Sequence, residues 1–140
     1  MVTQVAATNR RTIVVLETGG PVTMPWIGQV AAAIEAWYPG IRGGEAIANV
    51  LFGDVIPSAK LPVTFPQSEA DLPEVRLPGS APAPEPGASV TPGRRTTPSS
   101  FEIHYAEGLR VGYKWFDAEG KQALFPFGFG LSYTTYTYTV

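Results

Sequence analysis

Apolar and polar positions divide the chain into three stretches of different texture. Residues 1–66 read as α/β structure, 67–100 as a low-order connection, and 101–140 as extended structure punctuated by glycine turns. Val2 and Val5 share one helical face, so the tail of a helix is expected before Asn9, Arg10 and Arg11 break the pattern. Thr12 to Leu16 is a continuous, largely β-branched run, which suits a parallel strand covered on both faces. Glu17 to Pro21 turns the chain. A second short strand is expected at Val22–Met24, and Pro25 suits the opening of a helical turn, where its missing N–H is not needed. Ala31 to Tyr38 fits either period, but its short span before Pro39-Gly40 favours a strand from about Ala33. Beyond Gly43 and Gly44, the side chains of Ala46, Ile47, Val50 and Leu51 share a helical face, and Gly53 stops the helix.

From Pro73 to Ser100 the chain carries Pro73, Pro78, Pro82, Pro84, Pro86, Pro92 and Pro98, interleaved with Gly79, Gly87 and Gly93. Few large apolar side chains remain there to offset backbone ordering, so an exposed loop or insertion is expected. The final segment alternates, with Thr134, Tyr136, Tyr138 and Val140 on one face and Tyr133, Thr135, Thr137 and Thr139 on the other. That is a strand pattern. Ending on an unpartnered strand, the chain reads as a fragment of something larger.

Composition narrows the chemistry. Only 16% of residues are charged, against a usual share of about 25%. The formal net charge is −2, so no concentrated basic surface for nucleic acid is expected. Cysteine is absent and His104 is the single histidine, which leaves a metal site to carboxylates alone, and no ligand cluster is visible. No metal or cofactor is expected. No charged and apolar leader opens the chain and no apolar run approaches ~18 residues, so neither a signal peptide nor a membrane span is expected in it. A serine triad lacks its nucleophile elbow. The pairs Gly19-Gly20 and Gly43-Gly44 match no phosphate-binding spacing and read as turns.

Carboxylates are the remaining catalytic material. Glu17 follows a parallel strand, at the end where α/β sheets hold their sites. Glu45 opens a helix, where a negative charge suits the dipole, and Asp54 and Asp117 fall in turns. Each taken alone reads as structural, because glycoside hydrolysis needs two carboxyl groups at a defined separation. Trp26, Trp37, Tyr38, Tyr113, Trp115, Phe116, Phe125, Phe127 and Phe129 supply core area, of which one or two at a cleft rim would suffice to stack on a sugar.

Five ordered blocks are more specific: Val14–Trp26, Ala36–Asp54, Pro57–Pro66, Tyr105–Asp117 and Leu124–Tyr136. Together they resemble glycoside hydrolase family 3, the β-glucosidases and related exo-acting enzymes. The resemblance implies a fold: part of an α/β sandwich, mostly a parallel sheet with flanking helices, an incomplete fragment of a larger domain. It divides the chain into an α/β portion at 1–66, a Pro-rich insertion at 67–100, a closing segment at 101–131 and, at 132–140, the entry strand of a fibronectin-III-like domain. The family's nucleophile Asp belongs to an N-terminal barrel. Its acid/base Glu belongs to a sandwich loop upstream of the Val14–Trp26 block. Neither has a counterpart here, so no residue inherits a catalytic, cofactor or metal role, and Glu17 stands where members often carry Asn. Arg42 departs from a usual acid, Ala59 from Gly, and Phe129 from His. Lys60-Leu61-Pro62 is expected to end the α/β unit, with Pro62 forbidding further ladder donation.

The resemblance implies partners, namely the barrel and the first half of the sandwich, and a β-glucoside or oligosaccharide substrate for the full enzyme. It implies retaining hydrolysis of terminal β-linked glucosyl residues, with this chain scaffolding the acid/base loop and inactive alone. Two alternatives remain at this point: a short subunit of a split glycosidase, and a free-standing carbohydrate-binding or structural module.

Overall fold

The β-branched run finds a parallel partner. In the computed structural model, which describes residues 1–74, 103–137 and 139, strand β1 (Ile13–Leu16) pairs with β2 (Ala32–Glu35). The register runs from Ile13 opposite Ala32 to Leu16 opposite Glu35. The pairing is extended at both ends, where Ala31 N donates to Thr12 O and Ala36 N to Leu16 O, each over 2.8 Å. Helix α1 (Val2–Thr8) precedes β1, buries Ala6 and lies against the 3-10 turn Ile27–Gln29. The β2 strand begins one residue before its expected start.

Helix α2 (Gly43–Phe52) follows β2. Gly53 ends it in the left-handed conformation, φ 85°, which a glycine adopts without the Cβ clash other residues meet. The Val50 carbonyl at this terminus accepts from Gly53 N over 3.2 Å and from the Tyr133 hydroxyl over 2.8 Å. The closing segment is thereby tied to the end of α2.

Residues 61–65 and 124–129 run antiparallel. Leu61 N donates to Phe129 O and Gly128 N to Leu61 O, each over 2.8 Å; farther along, Phe65 N donates to Phe125 O over 2.9 Å. The expectation that Pro62 ends ladder donation is corrected here. Pro62 and Pro126 lack an N–H and interrupt the middle of the pairing, but donation resumes at Phe65. Phe65, 1% exposed, sits at the centre of the packing. Its ring lies 6.0 Å from Trp37 and 6.4 Å, edge-on, from Phe125, which in turn stacks 4.9 Å from Phe129.

Other expectations are also revised. Val22–Met24 forms no strand: Pro21 and Pro25 bracket it, and the buried Met24 gives its carbonyl to Ile27 N, starting the 3-10 turn. The stretch from 101 is not extended throughout, because helix α3 (Tyr113–Ala118) follows Gly112 and buries Phe116. Residues 67–74 are not low-order either. Glu69–Asp71 is a 3-10 turn closed by a capping box, with Ser68 N donating to Asp71 Oδ2 over 2.9 Å and Ala70 N to Ser68 Oγ over 3.2 Å. The rest of the Pro-rich stretch, 75–100, lies outside the described residues. The alternating tail forms no strand in residues 132–137, since a strand needs a ladder partner and none is adjacent among the described residues.

The β1–β2 sheet is not covered on both faces. Ile13 is exposed and the other β1 residues only half-buried. Ile41, Phe52, Leu109 and Leu131 also face solvent.

Candidate functional site

Parallel strands share a direction, so the turns that follow them leave the sheet at one edge, the usual place for an α/β site. Here that edge, the crest, gathers Glu17 to Gly20 after β1 and Ala36 to Pro39 after β2. The residue that joins the two turns is Glu35, the last of β2. Its Oε1 accepts from Trp37 N over 3.0 Å and its Oε2 lies 3.2 Å from the Thr18 hydroxyl. Thr18 Oγ1 also donates to Gly20 O over 2.8 Å, so one hydroxyl proton is shared between two acceptors.

Trp37 is held at φ 51°, the only non-glycine with positive φ among the described residues. For a bulky residue this conformation costs about 1–2 kcal/mol. The Glu35 bond to its N–H and the packing of its ring on Phe65 offset that cost. The turn carries Tyr38 out to 82% exposure and brings its hydroxyl over Gly19, into the space a Cβ would take. Gly19 thus leaves room for the Tyr38 hydroxyl, with no phosphate-binding spacing around it.

The acidic residues singled out in the sequence are placed as follows. Glu17 is exposed on the crest. Glu45, in the first turn of α2, is engaged by the Arg42 guanidinium, whose Nε donates over 2.8 Å. Arg42 and Glu45 therefore form a local pair at the start of α2. Asp54 lies just past α2 and Asp117 on α3, both exposed, and His104 is also exposed. Among the described residues no group of three or more His, Asp or Glu is placed to hold a metal ion. No helix among them is long and apolar enough to cross a membrane. A depression between α1 and the Ile27–Gln29 turn carries Arg10 as its one ionisable lining residue, which cannot supply acid and base together.

Glu35 was missed in the sequence. It sat inside a segment of undecided period, and only the parallel register places its carboxylate between two turns. Thr18, one residue past Glu17, carried no signal of its own.

The chain as a whole is similar to known proteins. A β-glucosidase of Rhizobium radiobacter is 45% identical over 138 residues, 99% of this chain but 15% of that protein. Beta-glucosidase B of Emericella nidulans is 44% identical over 142 residues, again 99% of this chain and 16% of the relative. Among solved structures, DesR, a β-glucosidase from Streptomyces venezuelae in complex with D-glucose, superposes with a TM-score of 0.75 at 42% identity, covering 97% of this chain and 16% of that one. The chain thus spans about a sixth of the length of the proteins it matches. The glycosyl hydrolase family 3 C-terminal domain model matches residues 1–133, nearly the whole α/β assembly described above, and the chain belongs to that family.

Proposed function

We propose that this chain is the C-terminal portion of the α/β sandwich of a β-glucosidase, scaffolding the active site of a larger enzyme and inactive alone. The observation that carries the reading is the 45% identity to a β-glucosidase along 99% of this chain, which has the parallel β1–β2 pair of an α/β sheet. In the full enzyme a terminal β-linked glucosyl residue is removed with retention. A carboxylate nucleophile on the barrel forms a glycosyl-enzyme, and an acid/base Glu on a sandwich loop upstream of β1 protonates the departing oxygen and then activates water. The partners are the barrel and the first half of the sandwich. The 132–140 segment leads toward a fibronectin-III-like domain.

The open faces of β1 and the exposed Ile41, Phe52, Leu109 and Leu131 favour a covered piece over a free-standing module, since monomers rarely leave so much apolar surface in water. The test is direct. The 140-residue chain and the full-length polypeptide that contains it are each assayed with p-nitrophenyl β-glucoside. Hydrolysis by the full-length protein alone is expected. Absence of β-glucosidase activity in the full-length protein overturns the reading.

A further inference from the structure

Two consecutive aromatic residues on the crest are used in opposite ways. The Trp37 ring packs 6.0 Å from Phe65, whereas Tyr38 stands 82% exposed, so most of its ring meets solvent. The backbone that presents Tyr38 is restricted on both sides. Trp37 holds φ 51°, a conformation of the kind that clusters at active sites and ligand clamps. Pro39 follows and confines the Tyr38 backbone to extended geometry.

The polar groups divide in the same way. The Glu35 carboxylate is engaged within the crest by Trp37 N and Thr18. Glu17, exposed on the facing turn, has no hydrogen-bond or ion-pair partner among the described residues, and neither has the Tyr38 hydroxyl. The two turns leave the sheet side by side, since Ala36 N donates to Leu16 O over 2.8 Å and the Tyr38 hydroxyl reaches over Gly19. An open aromatic face beside an unengaged carboxylate suits a pyranose, which offers an apolar C–H face and a rim of hydroxyl donors. In open α/β sheets ligands lie outside the carboxyl ends of the strands, and β1 and β2 both end here.

We propose that Tyr38 stacks on a sugar ring of the substrate other than the one cleaved, with Glu17 accepting from the hydroxyls of that ring. The inference rests on the function proposed above and makes an oligosaccharide the substrate class. The choice of ring follows from chemistry. A cleaved ring sits between two catalytic carboxyl groups, and the crest offers only the single unengaged carboxylate of Glu17. Tyr38 and Glu17 therefore bind and do no bond-breaking.

The test follows glucose release by the full-length enzyme from methyl β-glucoside and from cellobiose, laminaribiose, sophorose and gentiobiose. All five have alkoxide leaving groups, but only the disaccharides offer a second ring. On the disaccharide that the wild type cleaves best, Tyr38→Ala is expected to raise KM by about three- to tenfold with kcat little changed, as when one stacking contact made equally in ground and transition states is lost. KM for methyl β-glucoside is expected to change by less than about twofold. Tyr38→Phe keeps the stacking face and is expected to restore KM. Glu17→Ala is expected to raise the disaccharide KM by about threefold or more, the loss of a charged acceptor.

Equal changes on methyl β-glucoside and the disaccharide, the mark of a ring that only packs, overturn the inference. So does a wild-type KM in Tyr38→Ala, or a wild type that cleaves methyl β-glucoside and none of the disaccharides. Where Tyr38→Ala does not fold, Gly19→Ala decides the question, because its methyl group displaces the Tyr38 ring without deleting it. A wild type inactive on all five substrates sinks the underlying reading and this inference with it; an active one whose variants fail the contrast sinks the role of Tyr38 alone.

Discussion

The indole N–H of Trp115 donates to the backbone carbonyl of Asp71 over 2.8 Å, joining residues 44 apart in sequence. Lys121 reinforces the contact. Its ammonium reaches the same carbonyl at 3.1 Å and lies 5.6 Å from the centre of the Trp115 ring. The capped turn at Glu69–Asp71 and helix α3 therefore hold the two sides of the Pro-rich stretch together. A long connection costs little extra closure entropy as it grows, so a clamp at its base is enough to keep both sides in one fold.

Trp115→Phe keeps an aromatic ring but removes the donor together with part of the indole's packing. Because Lys121 still reaches the Asp71 carbonyl, no buried acceptor is orphaned. A loss of about 1–3 kcal/mol is expected, one hydrogen bond plus the packing of the missing part of the indole. Denaturant unfolding of the full-length protein measures it. A loss well above that range would show that Lys121 does not hold the carbonyl by itself.

Phe65→Ala removes the ring that supports both Trp37 and Phe125. Phe65 is 1% exposed, and truncating so buried a ring typically costs about 3–5 kcal/mol. The ring also backs the left-handed turn at Trp37, so crest amides should lose hydrogen-exchange protection beyond what global destabilisation explains. Unchanged relative protection at Trp37 and Tyr38 would separate the aromatic stack from the crest.

Much of this arrangement was legible in the sequence, for stated reasons. Thr12 to Leu16 suited a strand because its side chains are branched and, beyond Thr12, apolar, and Gly53 marked the end of α2 because the cap requires positive φ. α3 was not legible. Tyr113 to Ala118 is short and aromatic, so it shows no helical stripe, and what turns the chain into it is Gly112 at φ 59°. Glu35 escaped for a different reason. Its role depends on register with β1 and on contacts to Thr18 and Trp37, neither of which is a spacing. The terminal alternation showed strand propensity, but pairing is a property of neighbours and not of the segment itself.

Two glycines with similar steric warnings should behave differently when given a methyl group. A Cβ at Gly43 would stand 2.7 Å from both Cβ and Cγ of Pro39, a ring fixed to its own backbone. A Cβ at Gly19 would meet only the Tyr38 hydroxyl, the far end of an exposed side chain that can swing away. Gly43→Ala is therefore expected to cost about 1–3 kcal/mol, as overpacking does. Gly19→Ala should cost less than about 1 kcal/mol while displacing Tyr38, since a surface change is usually small. Chemical denaturation of both variants in the full-length protein gives the order; Gly19→Ala as the more damaging change would mean that Tyr38 is pinned.

The last expectation concerns the 140-residue chain by itself. Two parallel strands with half-open faces leave unpaired backbone at both outer edges of β1 and β2, a template for pairing with another chain. Among the described residues, the large hydrophobics that are well buried are Met24, Phe65 and Phe116. Three such side chains at about 1.5–3 kcal/mol each offset little of the conformational entropy of a chain this long. The isolated chain is therefore expected to be loosely folded and to self-associate. Light scattering should report oligomers, and the amide proton–nitrogen NMR spectrum should show narrow dispersion or broadened peaks. A monomer with a sharp cooperative melt would contradict this. Localised shifts on adding glucose to such a monomer would instead favour an autonomous sugar-binding module, because a crest that binds sugar unaided needs no barrel to complete it.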